Sequence, residues 1–342
     1  MIRKIFHKIK KTIKKLIYPI LYSYPGYQVF DFISRLVGFK KERSRICKII
    51  GYYPNLKNPQ SFNEKVLWKK IYDRNPLLPV ITDKYRAREY LKSILGKVEA
   101  EKILVPLFYL TDKPETIPFD DLLDEFVIKP NHESGKIILA ENIEEQRKYI
   151  VIEGQRTTIF PDCRATRNEI IKICKRWLSM SHGFYKHEWA YQKIKRKILI
   201  EKLLRNNNGK MPEDYKFHIF HGKCYSILVI YDKFIDKKVA RYTPDWVYLH
   251  YNIKEDNKLE SSKEKPENLK CMINLAELLG NPFDYIRVDL YLVDRQVYFG
   301  ELTNYPTSGH APFIPAPLDF VWGSQWKIIP NYWKQHDFNQ FK

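Results

Sequence analysis

Two acids near the C-terminus, Asp289 and Glu301, are spaced so that two adjacent strands would bring them face to face. Residues 284–309 read DYIRVDLYLVDRQVYFGELTNYPTSG, with Ile286, Val288, Leu290 and Leu292 alternating against Arg287, Asp289 and Tyr291. That period of two predicts a strand with one buried and one working face. A second strand is expected from about Val297 to Thr303. Pairing Val293 with Val297 around a loop of Asp294, Arg295 and Gln296 sets Asp289 opposite Glu301 and Arg287 opposite Thr303. Leu292 with Tyr298 and Val288 with Leu302 then share the other face. A one-residue slip would send every side chain to the opposite face. Opposed carboxylates repel, so this register calls for a cation between them or an arginine beside them. Arg287 is at hand, and Mg²⁺ suits hard oxygen ligands.

A second group of residues suits phosphates. Residues 126–140, FVIKPNHESGKIILA, predict an apolar strand ending at Lys129, a turn carrying His132, Ser134 and Gly135, and another apolar strand. A lysine at a strand end beside such a loop can present an ammonium and backbone N–H groups to a nucleotide. No helix and no G-K-[ST] follow, so the P-loop pattern is absent, and a plain hairpin reads the same way. A helix starting near Thr82, TDKYRAREYLKSI, would stack Lys84, Arg88 and Lys92 four residues apart on one face. Such a row is ordinarily a solvated surface; beside a phosphate site it gains a use.

The elements that must position these groups follow from the same patterning. Ser61-Phe62-Asn63-Glu64 is a capping-box signature opening a helix, and Asn168–Met180 predicts another. Residues 198–204, ILIEKLL, read as a strand, and residues 214–232 as a hairpin about His221-Gly222. Residues 252–268, NIKEDNKLESSKEKPEN, predict a charged, mobile connection to a helix over 269–280. The expected organisation is a basic helix at 1–22, a mainly helical region at 23–115, a central lobe at 116–205 and a C-terminal lobe at 206–342.

The 342 residues carry 59 basic and 40 acidic side chains, a net charge of +19 that favours anionic partners. Residues 1–18, MIRKIFHKIKKTIKKLIY, set seven isoleucine, leucine and phenylalanine residues against seven Lys and Arg. This is the pattern of an amphipathic helix at the surface of an anionic membrane, although a helix packed on its own domain reads similarly. It is too short in apolar run to span a bilayer. Five cysteines without C-x-x-C spacing argue against a disulfide framework or a zinc site and suit a reducing cytoplasm. No basic stripe interleaved with stacking aromatics points to nucleic acid.

FVIK with its glycine-bearing loop, ILIEKLL, DYKF…HGK and RVDL…GELTNYP occur in an order that resembles the ATP-grasp superfamily. GYYPNLKNPQSFNEKVLW, TDKYRAREYL, KPNHESG, EDYKFHIFHGK and RVDLY…YFGELTNYPTSG resemble its teichuronopeptide-biosynthesis-like, polysaccharide-associated branch, over about residues 48–312. The resemblance implies an α+β ATP-grasp fold, two lobes gripping the nucleotide after a mainly helical N-terminal region. It implies that Lys129 and Arg88 contact the ATP phosphates and that the loop with His132, Ser134 and Gly135 closes over them. Glu201, Lys202, Leu203 and Leu204 would form the hinge gripping adenine, Asp214 would meet the ribose and Lys216 the nucleotide. Asp289 and Glu301 would hold Mg²⁺, with Arg287 beside the transferring phosphoryl group. The superfamily commonly has asparagine two residues beyond the metal glutamate. Here Thr303 stands there and Asn304 should point to the other face, so Thr303 or a water is expected as the third ligand.

What the resemblance implies is an ADP-forming carboxylate–amine ligase of bacterial capsule or lipopolysaccharide assembly, working at the inner face of the plasma membrane. Its partners would be an amine donor and an anionic sugar or lipid-linked glycan. A glycosyltransferase or an ATP-dependent sugar kinase of the same pathway is the alternative. The chain contains no Asp-x-Asp, which weighs against a metal-dependent glycosyltransferase.

Overall fold

The computed structural model describes residues 22–123, 125–143, 146–232, 236–253 and 257–335. The basic helix expected at 1–18 lies outside them. Elements are numbered along the chain. Six helices come first: α1 (Tyr24–Leu36), α2 (Lys40–Ile50), α3 (Phe62–Tyr72), α4 (Leu77–Thr82), α5 (Arg86–Leu95) and α6 (Lys97–Ile103). The capping box forms as expected. Ser61 Oγ accepts from the Glu64 amide at 3.2 Å, and the Glu64 carboxylate accepts from the Ser61 amide at 3.1 Å, so two otherwise orphaned donors of α3 are satisfied.

Two antiparallel sheets follow. The first consists of β1 (Leu107–Thr111), β6 (Ile198–Lys202), β2 (Phe126–Pro130), β3 (Lys136–Ile143), β4 (Gln146–Glu153) and β5 (Arg156–Pro161), in that spatial order. Helix α7 (Arg164–Ser179) lays Ile170, Cys174 and Trp177 on the face formed by Phe126, Ile128, Ile138 and Ile200. Strands β4 and β5, over 146–161, were not anticipated from sequence. Residues 156–160 are mostly exposed, so the alternation that betrays a half-buried strand is missing there. The short α8 (Trp189–Gln192) precedes β6.

The second sheet runs β12 (Gln296–Thr303), β11 (Tyr285–Val293), β7 (Asp214–Phe220), β8 (Lys223–Tyr231) and β9 (Lys238–Tyr242). Helix α9 (Leu269–Gly280) covers its back through Leu269, Met272, Ala276 and Leu279. A Cβ on Gly280 would stand 2.7 Å from Ile219 Cγ2, so only glycine allows this close helix–sheet approach. The small pair β10 (Asn252–Ile253) and β13 (Phe313–Ile314) and helix α10 (Leu318–Ser324) complete the fold.

The core divides the chain differently from the expected boundaries. Phe62, Val66, Leu78, Tyr90 and Leu91 of the N-terminal helices share one core with Phe217, Val288, Leu302 and Trp322 of the second sheet. Strand β1, placed before residue 116, belongs to the first sheet. The connection expected to be mobile is partly pinned along the edge of β9, where the Val239 amide donates to Asn257 O at 2.8 Å and the Leu259 amide to Val239 O at 2.9 Å.

Candidate active site

The opposed carboxylates form as the alternation requires. Asp289 pairs with Glu301, Val288 with Leu302 and Arg287 with Thr303. The route to that register differs from the one expected. The turn has two residues, Asp294 and Arg295, both with positive φ (45° and 71°), so Val293 pairs with Gln296 and Leu292 with Val297. That moves the pairing by one residue. A bulge at Gly300 then inserts an extra residue on β12 and restores Asp289 opposite Glu301. A Cβ on Gly300 would lie 3.0 Å from Asp289 O and 3.2 Å from the Tyr291 ring, which is why glycine occupies the bulge.

Asp289 is almost wholly buried and accepts from three donor atoms on two side chains. Arg287 Nε and Nη2 each donate to it at 2.7 Å, and Lys216 Nζ donates at 2.5 Å from the neighbouring strand β7. Lys216 is also 2.8 Å from Asp214. Arg287 Nη2 reaches Thr303 Oγ1 at 2.9 Å and Glu301 at 3.4 Å. Thr303 Oγ1 donates to Glu301 at 3.2 Å. Its low-dielectric surroundings push the Glu301 carboxyl upward, but Lys84, Lys216 and Arg287 outweigh this and hold it down to about 2. Burial alone would lower the Arg287 pKa; the Asp289 carboxylate reverses that and raises it. Asn304 faces away from this cluster, as alternation requires. Its amide donates to Leu78 O at 3.3 Å and to the Thr82 hydroxyl, tying the end of β12 to α4.

The first sheet supplies the facing wall. Lys129, at the end of β2, lies 2.5 Å from Glu201 on β6, and Arg88 on α5 lies 3.5 Å from the same carboxylate and donates to Val105 O at 2.8 Å. Glu201, expected in the hinge, gathers the two expected phosphate-binding cations. The row of three cations dissolves, because α4 ends at Thr82 and α5 begins only at Arg86; between them Asp83 Oδ1 turns the chain by accepting from the Tyr85 amide at 2.9 Å. Lys84 therefore lies before α5, and Lys92 turns to Glu101 at 3.2 Å. Lys84 Nζ donates to Glu133 O at 2.7 Å and is 3.7 Å from Glu301, so it joins the loop of one wall to the carboxylates of the other. Burial lowers its pKa, and Glu301 opposes that shift. It is the site residue that sequence reasoning passed over; its only signal was the row in which Arg88 stood out.

Within the 131–135 loop, Ser134 and Gly135 are exposed, and Gly135 takes φ +68° with no atom near its absent Cβ. His132 does not join them. It is buried, with Nδ1 on Asn131 Oδ1 at 3.1 Å and Nε2 on Trp177 O at 3.2 Å. Burial pushes its pKa down to about 3, so it is a neutral structural residue. Asp214, expected at a ribose, is likewise buried and bound to Lys216. Between the walls, Leu203 packs with Val127 and Leu139 of the first sheet, while Leu204 packs with Val105 and Val293, beside Tyr291 and Tyr298. These adjacent leucines face opposite walls, and Lys202 points to solvent.

Asp289, Glu301 and Thr303 offer hard oxygens, and Mg²⁺ commonly binds through one or two carboxylates plus substrate phosphates, so the donor set fits that ion. Among the described residues no group of three or more His, Cys, Asp and Glu is arranged as a metal site. Phosphate oxygens would have to complete the coordination.

A family model described as TupA-like ATPgrasp matches residues 64–327. The chain belongs to the TupA-like ATP-grasp family. The match runs from within α3 to just past α10 and so contains both walls of the site. No curated protein matches this ATP-grasp chain. Among solved structures it is similar to a D-alanine–D-alanine ligase from Bacillus anthracis complexed with ATP, at 18% identity and TM-score 0.35 over 66% of this chain and 54% of that one. An L-amino acid ligase from Bacillus licheniformis matches at 14% identity and TM-score 0.36, over 66% of this chain and 44% of that one. The chain thus spans less than two thirds of the length of either ligase.

Proposed function

We propose that this ATP-grasp protein is an ATP- and Mg²⁺-dependent carboxylate–amine ligase that forms an amide through an acyl phosphate during bacterial surface polysaccharide assembly. The observation that carries the reading is the charge arrangement of the cleft. Five cations, Lys84, Arg88, Lys129, Lys216 and Arg287, stand against four carboxylates, Glu201, Asp214, Asp289 and Glu301, an excess suited to a polyphosphate.

In this scheme Lys129 and Arg88 release Glu201 to take the ATP phosphates, with backbone N–H groups of the exposed 134–135 turn beside them. Leu203 and Leu204 border an apolar seat for adenine. Asp289, Glu301 and Thr303 would hold Mg²⁺, which would neutralise charge on the phosphates. An acceptor carboxylate oxygen attacks the γ-phosphorus and the bond to ADP breaks, with Arg287 placed to balance the developing charge. An amine nitrogen then attacks the acyl carbon, phosphate leaves with the bonding pair, and the ammonium proton passes to solvent. Positioning and charge are the main requirements, so no protein nucleophile is needed. The acid is proposed to be an anionic sugar or a lipid-linked glycan, met on the cytoplasmic side.

ADP and phosphate release, measured with candidate uronic acids and amines, tests the scheme. Equal ADP and phosphate that require both co-substrates support it. AMP with pyrophosphate refutes the acyl phosphate; ADP with a phosphorylated sugar and no free phosphate identifies a kinase, and UDP-sugar binding without ATP binding a glycosyltransferase.

A further inference from the structure

Helix α1 buries one side and leaves the other uncovered. Phe30 stacks on Phe184 and His187 at ring distances of 5.1 and 4.8 Å, and Tyr27 is buried. On the opposite side Val29, Phe32, Ile33, Leu36 and Val37 are 60, 61, 56, 71 and 60% exposed. Their spacing of three, one, three and one residues makes a continuous apolar stripe. Isolated exposed apolar residues are ordinary, but a contiguous stripe marks an interaction surface.

The charge around the stripe has one sign. Residues 22–63 contain seven Lys and Arg and two acids, Asp31 and Glu42. Both acids are buried and bound: Asp31 to Arg35 at 2.9 Å and His187 at 3.2 Å, Glu42 to Lys70 at 2.9 Å and Arg45 at 2.5 Å. Arg35, Lys40, Lys41 and Lys48 are exposed on α1 and α2. Among residues 22–63 the stripe is therefore bordered by exposed cations and by no exposed acid.

We propose that the α1 stripe, with the cations beside it, is a docking surface for an anionic lipid bilayer. A bilayer supplies both an apolar interior for Phe32 and Leu36 and negative headgroups for Lys40 and Lys41. A second copy of the chain would oppose two surfaces of the same charge. Residues 1–18, laid over the stripe, would add seven more cations and no acid; on a bilayer those cations extend the same contact. This inference does not depend on the ligase reading, because α1 touches none of the site residues named above.

Cosedimentation of the full chain with vesicles of phosphatidylcholine and phosphatidylglycerol, and with phosphatidylcholine alone, tests it. Binding is expected to the anionic vesicles and to fall with salt. The double variant Phe32→Ser, Leu36→Ser should weaken it about tenfold or more, and Lys40→Gln, Lys41→Gln about tenfold. Both pairs are exposed, so melting temperatures and ADP release from ATP in solution should stay near those of the parent. Failure of the parent to bind anionic vesicles overturns the proposal, as does parent-like binding by the Phe32/Leu36 variant. Conversion of a dimer to a monomer by that variant, with vesicle binding intact, assigns the stripe to a second copy instead.

Discussion

The two walls of the cleft hold their charges by different means. On the second sheet, Arg287, Asp289, Lys216, Glu301 and Thr303 sit on three neighbouring strands whose register sets every partner. On the first, Lys129 and Arg88 come from a strand end and a helix and meet at the single carboxylate of Glu201. The first arrangement is rigid because moving one charge means moving a strand. The second could open by exchanging the Glu201 carboxylate for a phosphate. Fixed charge on the second-sheet wall and replaceable charge on the first-sheet wall suit the proposed site, which must admit a nucleotide before it acts on it.

Replacing Asp289 should show that contrast most strongly. Asp289→Asn keeps the shape but leaves Arg287 and Lys216 without their shared anion, and a fall in ADP formation of about 10³-fold is expected. Because the broken pair is buried, unfolding free energy should also drop by roughly 3–5 kcal/mol, readable in urea. Lys129→Ala should lower turnover by about 10²-fold with far less change in stability, since Arg88 still neutralises Glu201. Equal stability losses for the two variants would erase the distinction between the walls. Gly300→Ala tests whether the bulge sets the register: its Cβ would meet Asp289 O at 3.0 Å, and a loss of about 1–3 kcal/mol is expected in thermal melts.

The smallest effect separates the walls by pH. His132 is neutral in the fold with its pKa lowered to about 3, so the unfolded chain takes up a proton below its ordinary pKa near 6.5 while the native state does not. Stability on its account is lost as pH falls from about 6.5 toward 3. Glu301 has its pKa lowered from 4.5 to about 2, so its contribution is full above 4.5 and is lost only as pH falls from there toward 2. His132→Gln should therefore flatten the pH dependence of the melting temperature between pH 6.5 and 4.5, and an unchanged slope would remove His132 from the account.

Period-two alternation made the carboxylate pair legible, because a buried sheet face fixes which side Asp289 and Glu301 occupy. The turn was misjudged by one residue and the bulge at Gly300 was unseen, and the two offset each other at Asp289. Helix α9 was legible to the residue from its apolar run, and the helix start at Ser61 from its capping box. Lys84 was hidden among a row of helical cations, since nothing local distinguishes a helix that starts near Thr82 from one that starts at Arg86. His132 looked available beside Ser134 and Gly135 because its burial is supplied by Trp177, 45 residues away.

The amino-acid order alone determined which residue types share a strand face, where helix α3 starts and α9 runs, and how strongly basic the first 63 residues are. Those properties depend on neighbours within a few positions. Tertiary structure decided the partners: Lys84 with Glu301, Arg88 and Lys129 with Glu201, His132 with Trp177, and the N-terminal helices with the second sheet. Such pairings join residues tens to hundreds of positions apart, and side-chain charge carries no address; only the packing of the two sheets and their helices selects which cation meets which carboxylate.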